Sequence, residues 1–262
     1  MTIFVFDIET IPDVENLRKL YDLADLTDED VVKAAQLLRR QETGNLFIPL
    51  HLQRIVAISA VLDTQNQLKV WSLGESDSNE AELINRFYAG IDKYTPTLVS
   101  WNGSGFDLPV LHYRALVHGI SAPQYWEQGD LDNSFKYNNY LNRYHYRHMD
   151  LMDIFSGYQA RASAPLNQIA QMLNFPGKMG MHGSLVYEYF QRGEIEAIRN
   201  YCETDVLNTY LVYLRFQLIR GQLNQSSYQN KCLQLRMMLE SENKVHLNEF
   251  LEHWKFPHAE TS

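Results

Sequence analysis

Cysteine is scarce in this chain, and long apolar runs are missing from it. Two cysteines, Cys202 and Cys232, among 262 residues cannot form a disulfide framework, and this count fits a reducing interior. The longest uncharged, apolar-rich stretch covers residues 55–62, far fewer than the roughly 20 residues that span a bilayer. Asp7 and Glu9 interrupt the N-terminal segment where a secretory signal needs an unbroken apolar core. We therefore expect a cytoplasmic protein.

Positive charge is also in short supply. The chain has 23 basic and 32 acidic residues, a formal net charge of −9, which argues against a tight, non-specific binder of duplex nucleic acid. The balance argues less strongly against a nuclease, because bound cations would offset clustered carboxylates and bridge them to phosphate. Residues 13–30 hold seven acids and two bases, whereas residues 134–148 hold three bases and no acid. The acidic chain therefore has few basic segments that could bind a nucleic-acid backbone.

The order of apolar and helical patterns predicts an α/β fold. Residues 3–6 form a continuous apolar run, typical of a strand buried on both faces, and Pro12 should end its regular pairing. Residues 13–50 predict a helical insertion, in which Asp13 and Thr27 are candidate helix caps.

Alternating strand and helix patterns continue after the insertion, and helices dominate the last third. We expect a single domain over residues 1–262, with a helical C-terminal part at about 220–262. Further strands are predicted at 54–63, 68–73, 97–101 and 148–151, and further helices at 80–91, after Gly105, and at 165–174, 183–192, 194–219, 226–240 and 247–254.

Three short stretches carry four carboxylates and a tyrosine in a pattern suited to metal chemistry. Two acids standing two apart on a strand leave the same face, and two residues four apart on a helix share one face. Carboxylates are the hard oxygen ligands that Mg²⁺ and Mn²⁺ prefer, and repulsion among four inward-facing acids predicts raised pKa values or bound metal. The stretches are FDIET at 6–10, SWNGSGFD at 100–107 and YCETD at 201–205, with Asp7, Glu9, Asp107, Tyr201 and Asp205 as the candidate site.

In this order the three stretches resemble the three exonuclease motifs of the DEDD superfamily of 3′→5′ exonucleases. Tyr201-x-x-x-Asp205 resembles the tyrosine subclass, and NGSGFD at 102–107 looks like the second motif of the exonuclease domain of family B DNA polymerases. The whole chain is similar to predicted stand-alone bacterial exonucleases related to that domain. The resemblance implies an RNase H-like fold with a mixed five-stranded sheet flanked by helices.

The resemblance also implies roles for the five residues and two Mg²⁺ or Mn²⁺ ions per site. Asp7, Glu9 and Asp205 would coordinate metal, with Asp7 shared between the ions, and Asp107 would act on the second ion through water. Tyr201 would orient the attacking water, because an unperturbed tyrosine, with a pKa of about 10, is a poor base at neutral pH. The implied reaction is hydrolysis of single-stranded DNA from its 3′ end to nucleoside 5′-monophosphates.

Contacts to the substrate are expected from the motifs and from one loop. Residues 134–148 interleave tyrosines with cations, as single-stranded nucleic-acid sites do, although an ordinary loop whose tyrosines pack on the core fits the same pattern. Lys178, after a Pro-Gly turn, is a candidate phosphate contact. The substrate-binding candidates are Thr10, Asn102, Phe106, Tyr140, Arg143, Tyr144, Arg147 and Lys178.

Three alternatives remain open at this stage. The same acids would serve a 3′→5′ exoribonuclease, since they act on phosphate and do not read the sugar. A catalytically silent RNase H-like scaffold could bind a protein partner through the acidic segment 13–30. His148-x-Asp150 with His182 could form a facial triad for non-haem iron.

Overall fold

The fold is built on one mixed sheet of five strands. The computed structural model describes residues 2–255. The spatial order is β3-β2-β1-β4-β5, with antiparallel β1–β2 and β2–β3 pairs and parallel β1–β4 and β4–β5 pairs. This arrangement confirms the predicted mixed five-stranded, RNase H-like sheet. The strands are β1 (Ile3–Pro12), β2 (Gln53–Asp63), β3 (Leu68–Ser72), β4 (Thr97–Ser100) and β5 (His148–Asp150).

Helices flank the sheet, and the predicted helices lie within a few residues of their expected positions, whereas two short helices, Pro123–Trp126 and Leu151–Phe155, were not predicted. Within residues 2–255, no helix is long and apolar enough to cross a membrane. The helices are α1 (Val14–Tyr21), α2 (Asp28–Thr43), α3 (Glu80–Tyr94), α4 (Asp107–His118), α5 (Pro123–Trp126), α6 (Leu151–Phe155), α7 (Leu166–Met172), α8 (Val186–Gln191), α9 (Ile195–Ile219), α10 (Gln225–Glu242) and α11 (Val245–His253).

Strand β1 runs further than its apolar run predicts. Its pairing with β2 continues to Pro12, which lies opposite Gln53, after a register shift between Glu9 and Thr10. Pro12 is the last paired residue of β1, so the expectation that it ends the pairing is confirmed. β4 pairs with β1 only at Ile3–Val5, so the far end of β1 is bonded on one side alone, where a residue without an N–H is tolerated.

Side chains on the two faces of β1 pack into two different hydrophobic clusters. Val5 packs into a cluster with α9 and the C-terminal helices, whereas its neighbours Phe4 and Phe6 pack into a second cluster with α3 and α4. This division follows from the two-residue period of a strand, which turns successive side chains to opposite faces. Helix α9 crosses β1 and β2, and this crossing brings the third motif against the first.

The insertion lies between β1 and β2 and carries its own small core. Asp13 caps α1 by accepting from the Asn16 N–H at 3.2 Å, and Thr27 caps α2, as predicted. Gly44 ends α2 with φ of 75°, a left-handed conformation that suits glycine. The buried residues of this core are Leu17, Val31, Val32, Ala35, Ile48 and Leu52.

Candidate active site

Strand β1 presents two of the candidate carboxylates. Asp7 is partly buried, Glu9 is buried, and the two lie on the same side of the strand because they are two residues apart. The N–H of Ile8 between them donates to Asp107 Oδ1 at 3.1 Å. The first motif is thereby hydrogen-bonded directly to the second.

A tight glycine turn places Asp107 at the first residue of α4. Asn102 adopts a left-handed φ of 64°. A Cβ on Gly103 would lie 2.2 Å from Ser100 Oγ, and one on Gly105 would lie 2.5 Å from Asn102 Oδ1. Both separations are shorter than a real Cβ contact, so a side chain at either glycine would displace the side chain of Ser100 or Asn102. The turn delivers a buried Asp107 to the face of Asp7 and Glu9.

Asp150, at the end of β5, holds that turn in place. Its Oδ1 accepts from the Asn102 N–H at 2.9 Å and its Oδ2 accepts from the Ser104 N–H at 2.8 Å. Both carboxylate oxygens are thus used by backbone donors. Asp150 is a positioning residue for the second motif, a role that its place between the motifs did not reveal.

Helix α9 contributes the third motif as one buried face. Tyr201 and Asp205 are 5% and 8% exposed, one turn apart, as the four-residue spacing predicts. Cys202 is completely buried, and its Sγ donates to the Asp7 backbone oxygen at 3.4 Å and lies 3.7 Å from Asp7 Oδ2. The thiol therefore packs between helix and strand and ties α9 to the first motif.

Lys178 is a positively charged residue that contacts two of the candidate residues, Tyr201 and Asp205. Its Nζ donates to the Tyr201 hydroxyl at 2.6 Å and lies 3.9 Å from Asp205 Oδ2. The lysine reaches the site from the turn after Phe175, where Asn208 on α9 accepts from the N–H of Gly177 at 3.0 Å. A sequence position beside a glycine turn gave no sign of this contact to Tyr201.

The four carboxyl groups disfavour one another's ionisation. Burial raises the pKa of Asp7 well above its usual range, and the charges of Asp107, Glu9 and Asp205 raise it further. Burial and the charge of Asp205 do the same for Glu9, although Lys178 opposes them. Burial raises the pKa of Asp107 to about 7. The site thus lacks positive charge in proportion to its acids.

The donor chemistry of this cluster fits divalent metal ions. Ligand atoms of Asp7, Glu9 and Cys202 all lie within 4.8 Å of one another. Asp107 and Asp205 lie outside that tight group but add carboxylate oxygens to the same cleft. Asp205 Oδ1 is buried without a hydrogen-bond partner. Buried carboxylates without enough partners are costly unless a cation neutralises them, and oxygen donors select hard ions such as Mg²⁺ and Mn²⁺.

All five motif residues line a single cleft of about 580 Å³. Thr10, Asn102, Phe106 and Lys178, the candidate substrate contacts of the motifs and the Pro-Gly turn, line it as well. Apart from Ile8 and Trp101 of the motif stretches, the rest of its wall comes from residues that no motif marked. They include Val32, Gln36, Leu46, Phe47 and Ile48 of the insertion, together with Tyr187 of α8.

The loop at 134–148 differs from its predicted role in one residue. Tyr140 is 2% exposed, its hydroxyl donates to the Pro96 carbonyl at 2.7 Å, and its ring stacks on Tyr125. A ring enclosed in this way has no free face for a nucleobase. This placement corrects the expectation that Tyr140 stacks on the substrate.

The other three candidate residues of the loop, Arg143, Tyr144 and Arg147, are more accessible than Tyr140. The Arg147 guanidinium packs 3.8 Å above the Phe135 ring, and its Nε donates to the Asn138 carbonyl at 2.6 Å, so much of this side chain is used within the loop. Arg143 pairs with Asp153 at 3.0 Å, with 47% of its side chain exposed. Tyr144 is 68% exposed. Arg143, Tyr144 and Arg147 stay predictions as nucleic-acid contacts.

We expect Tyr140→Ala to lower the free energy of unfolding by about 3–5 kcal/mol, because it empties a buried aromatic site and removes a hydrogen bond. The exposed Tyr144→Ala is the matched control, with an expected change of about 0.5 kcal/mol or less. Urea unfolding monitored by circular dichroism measures both. Equal losses in the two variants would contradict the placement of Tyr140 in the core.

The residues of the iron alternative do not form a triad. Burial lowers the pKa of His148 to about 4, and its Nε2 is hydrogen-bonded to Ser100 Oγ at 2.8 Å. Asp150 is used by backbone donors, and His182 is exposed. Among the described residues, the metal-sized grouping is the one at Asp7, Glu9 and Cys202.

An α/β fold whose sheet and long helix enclose an acidic cleft of this kind can hold divalent cations against a phosphate ester. The chain belongs to the family of predicted 3′–5′ exonucleases related to the exonuclease domain of PolB, whose family model matches residues 45–254. The matched range includes Asp107, Tyr201 and Asp205, whereas Asp7 and Glu9 precede it.

Two further comparisons add little to this assignment. A search of curated proteins gives no match. Among solved structures, the chain is similar to the family B DNA polymerase from the hyperthermophilic archaeon Pyrobaculum calidifontis, with 16% sequence identity and a TM-score of 0.46. The match covers 95% of this chain and 27% of that one, so the chain spans about a quarter of the polymerase's length.

Proposed function

We propose that this protein is a metal-dependent 3′→5′ exonuclease of the tyrosine subclass of DEDD enzymes, which hydrolyses single-stranded DNA to nucleoside 5′-monophosphates. One observation carries the proposal. Three stretches far apart in the sequence bring four carboxylates and the Tyr201 hydroxyl to one cleft, where the acids outnumber the single lysine beside them.

Asp7, Glu9, Asp107 and Asp205 are the groups that would hold two Mg²⁺ or Mn²⁺ ions. When bound, such ions supply positive charge to the scissile phosphate, lower the pKa of a water molecule and stabilise the leaving 3′ oxygen. Asp7 lies near all three other acids of the cluster, since the charges of Asp107, Glu9 and Asp205 each raise its pKa. That position suits a carboxylate shared by both ions.

Tyr201 acts as a positioning donor in this proposal. Burial, together with the charges of Asp205, Glu9 and Asp7, raises the pKa of its hydroxyl above the usual value, so the group stays protonated at neutral pH. An ammonium group only donates, so the Tyr201 oxygen accepts from Lys178. The hydroxyl keeps its own proton, which is directed towards Asp205, and in this proposal it orients the attacking water or a phosphate oxygen.

The family's relation to the exonuclease domain of PolB, a DNA polymerase, favours DNA over RNA as the substrate. Retention of all five motif residues in one cleft argues against the silent scaffold, which would be free to lose any of them. The test is to incubate 5′-labelled DNA and RNA oligomers of the same sequence with Mg²⁺ or Mn²⁺ and to separate the products. A ladder that shortens from the 3′ end of DNA is expected. A ladder on RNA alone would favour the exoribonuclease, and no product on either would contradict the proposal.

Metal binding should also stabilise the fold. A ligand that binds only the native state at 100 times its Kd adds about 2.7 kcal/mol to the free energy of unfolding. We therefore expect the Tm to rise by several degrees with Mn²⁺, as measured by differential scanning fluorimetry. Asp205→Asn should reduce the rise, whereas Asp92→Asn, at an exposed position on α3, should leave it unchanged. A Tm independent of Mn²⁺ in the unmodified protein would contradict the metal site.

A further inference from the structure

Phe47 is an exposed aromatic side chain at the wall of the acidic cleft. It stands in the loop after α2, is 51% exposed and lines the same cleft as the carboxylates. Its ring contacts that of Phe106, with centroids 6.1 Å apart and planes tilted by 57°. Phe106 immediately precedes Asp107, so this contact joins the insertion to the second motif. One part of the Phe47 surface is thereby covered, and the remainder faces solvent.

The loop that carries Phe47 is fixed relative to the first motif. Gln53 Nε2 donates to the Ile48 carbonyl at 2.9 Å, and Gln53 Oε1 accepts from the Thr10 hydroxyl at 3.2 Å. Thr10 directly follows Glu9. The N–H of Phe47 itself donates to Asn45 Oδ1 at 2.9 Å. A two-bond bridge therefore connects the insertion wall to the strand that bears Asp7 and Glu9, and the position of Phe47 is set relative to the acids.

The buried side chain of Ile48 also anchors the loop that carries Phe47. Ile48 is 2% exposed and belongs to the core of the insertion, against which Tyr187 of α8 also packs. The half-exposed Phe47 is thus held by its backbone neighbours and does not depend on its own burial. Leaving a phenylalanine surface in water costs hydrophobic free energy, which is recovered when an apolar or aromatic group covers it.

We propose that Phe47 stacks on the nucleobase of the 3′-terminal nucleotide, so that the insertion supplies one wall of the base subsite. This inference rests on the proposed function, since the carboxylates fix where a scissile phosphate would lie. The base attached to that nucleotide must then lie along the cleft wall. Every nucleobase has an aromatic face, so stacking on a phenylalanine ring binds all four bases without discriminating among them. The subsite therefore requires a terminal base but not a particular one.

The test compares oligonucleotides that end in an ordinary 3′ nucleotide with ones that end in an abasic 3′ residue. Stacking of one base on an aromatic side chain corresponds to a change of about 5- to 150-fold in affinity. Phe47→Ala should raise the KM of the ordinary oligonucleotide by about that factor with little change in kcat. On the abasic oligonucleotide the variant and the parent should have the same KM. Phe47→Trp, which keeps an aromatic face, should retain the parent's preference.

Leu37→Ala is the matched control, because Leu37 is an exposed apolar residue of the insertion, at 56%, that does not line the cleft. It should behave as the parent on both oligonucleotides. Phe47→Ala is expected to melt at the parent's temperature, since half of the side chain is exposed. A Phe47→Ala loss of equal size on both oligonucleotides, or no loss on either, would overturn the base subsite while leaving the exonuclease intact.

A binding measurement separates this inference from the proposed function. An oligonucleotide with 2-aminopurine at its 3′ end changes fluorescence when the base stacks. If the parent hydrolyses no oligonucleotide, the proposed function fails, and titration of this probe in the same Mg²⁺ buffer still decides the subsite. Fluorescence that changes with the parent and not with Phe47→Ala supports the subsite, and equal responses from both contradict it.

Discussion

Replacement of Asp7 by alanine is expected to reduce exonuclease activity by on the order of 10³-fold or more, since a lost bridging carboxylate removes several kcal/mol of transition-state stabilisation. Asp7 has the best claim to this effect because all three other acids of the site influence it. The charges of Asp107, Glu9 and Asp205 all act on it, and the neighbouring Cys202 thiol donates to its backbone oxygen. Initial rates on a 5′-labelled single-stranded oligomer at saturating Mg²⁺ measure the loss.

The fold of Asp7→Ala should be preserved. Removing one of four mutually repelling acids relieves unfavourable electrostatics in the metal-free chain, so its Tm without metal should be equal to or higher than the parent's. Asp92→Ala, at an exposed position, is the control for a general effect of losing an acid. Excess EDTA should abolish activity in the parent. Full activity in EDTA, or in Asp7→Ala, would exclude the two-metal mechanism for this protein.

The elements of the fold were predictable because their patterns are local. The apolar run at Ile3–Phe6 is buried throughout, and the caps Asp13 and Thr27 form as their residue types predict. Pro12 ends the β1–β2 pairing as predicted, whereas the length of β1 beyond its apolar run depends on its neighbours in space. β4 stops pairing with β1 at Val5, and that edge leaves room for a proline that a central strand position would exclude.

The candidate site was predictable where the chemistry lies in short motifs. Asp7 and Glu9 on one strand, and Tyr201 and Asp205 on one helix, meet in the cleft because each pair shares a face. Tyr140 could not be placed in this way. A tyrosine among cations has the same local pattern whether its ring is exposed or, as here, enclosed by Tyr125.

The parts of the site that could not be predicted depend on contacts between segments far apart in the sequence. Asp150 holds the second motif through the N–H groups of Asn102 and Ser104, and these bonds bridge 48 and 46 residues of sequence. Phe47 reaches Phe106 across a similar separation. No periodicity or spacing encodes such pairs, since they arise only when the sheet has brought the segments together. The residues that the sequence did not reveal are therefore mainly those that position the motifs, such as Asp150, and those that line the cleft wall, such as Phe47.

Tyr201→Phe is expected to lower turnover by about 10- to 1000-fold, because loss of one positioned donor costs a few kcal/mol in the transition state. The hydroxyl accepts from Lys178 at 2.6 Å and binds no metal in the proposed mechanism. The variant should therefore keep its KM and its Mn²⁺-induced rise in Tm. Single-turnover rates at saturating oligomer and metal measure the effect without interference from product release.

Tyr213→Phe is a closely matched control, since Tyr213 lies on the same helix with the same 5% exposure but outside the cleft. It should leave turnover unchanged. Because Lys178 and Tyr201 are hydrogen-bonded, Lys178→Met and Tyr201→Phe should also be non-additive, and the double variant should be little slower than the slower single variant. A collapse of Mn²⁺ binding in Tyr201→Phe would show that the hydroxyl belongs to the metal site. Additive losses in the double variant would show that the lysine acts on the substrate independently of the tyrosine.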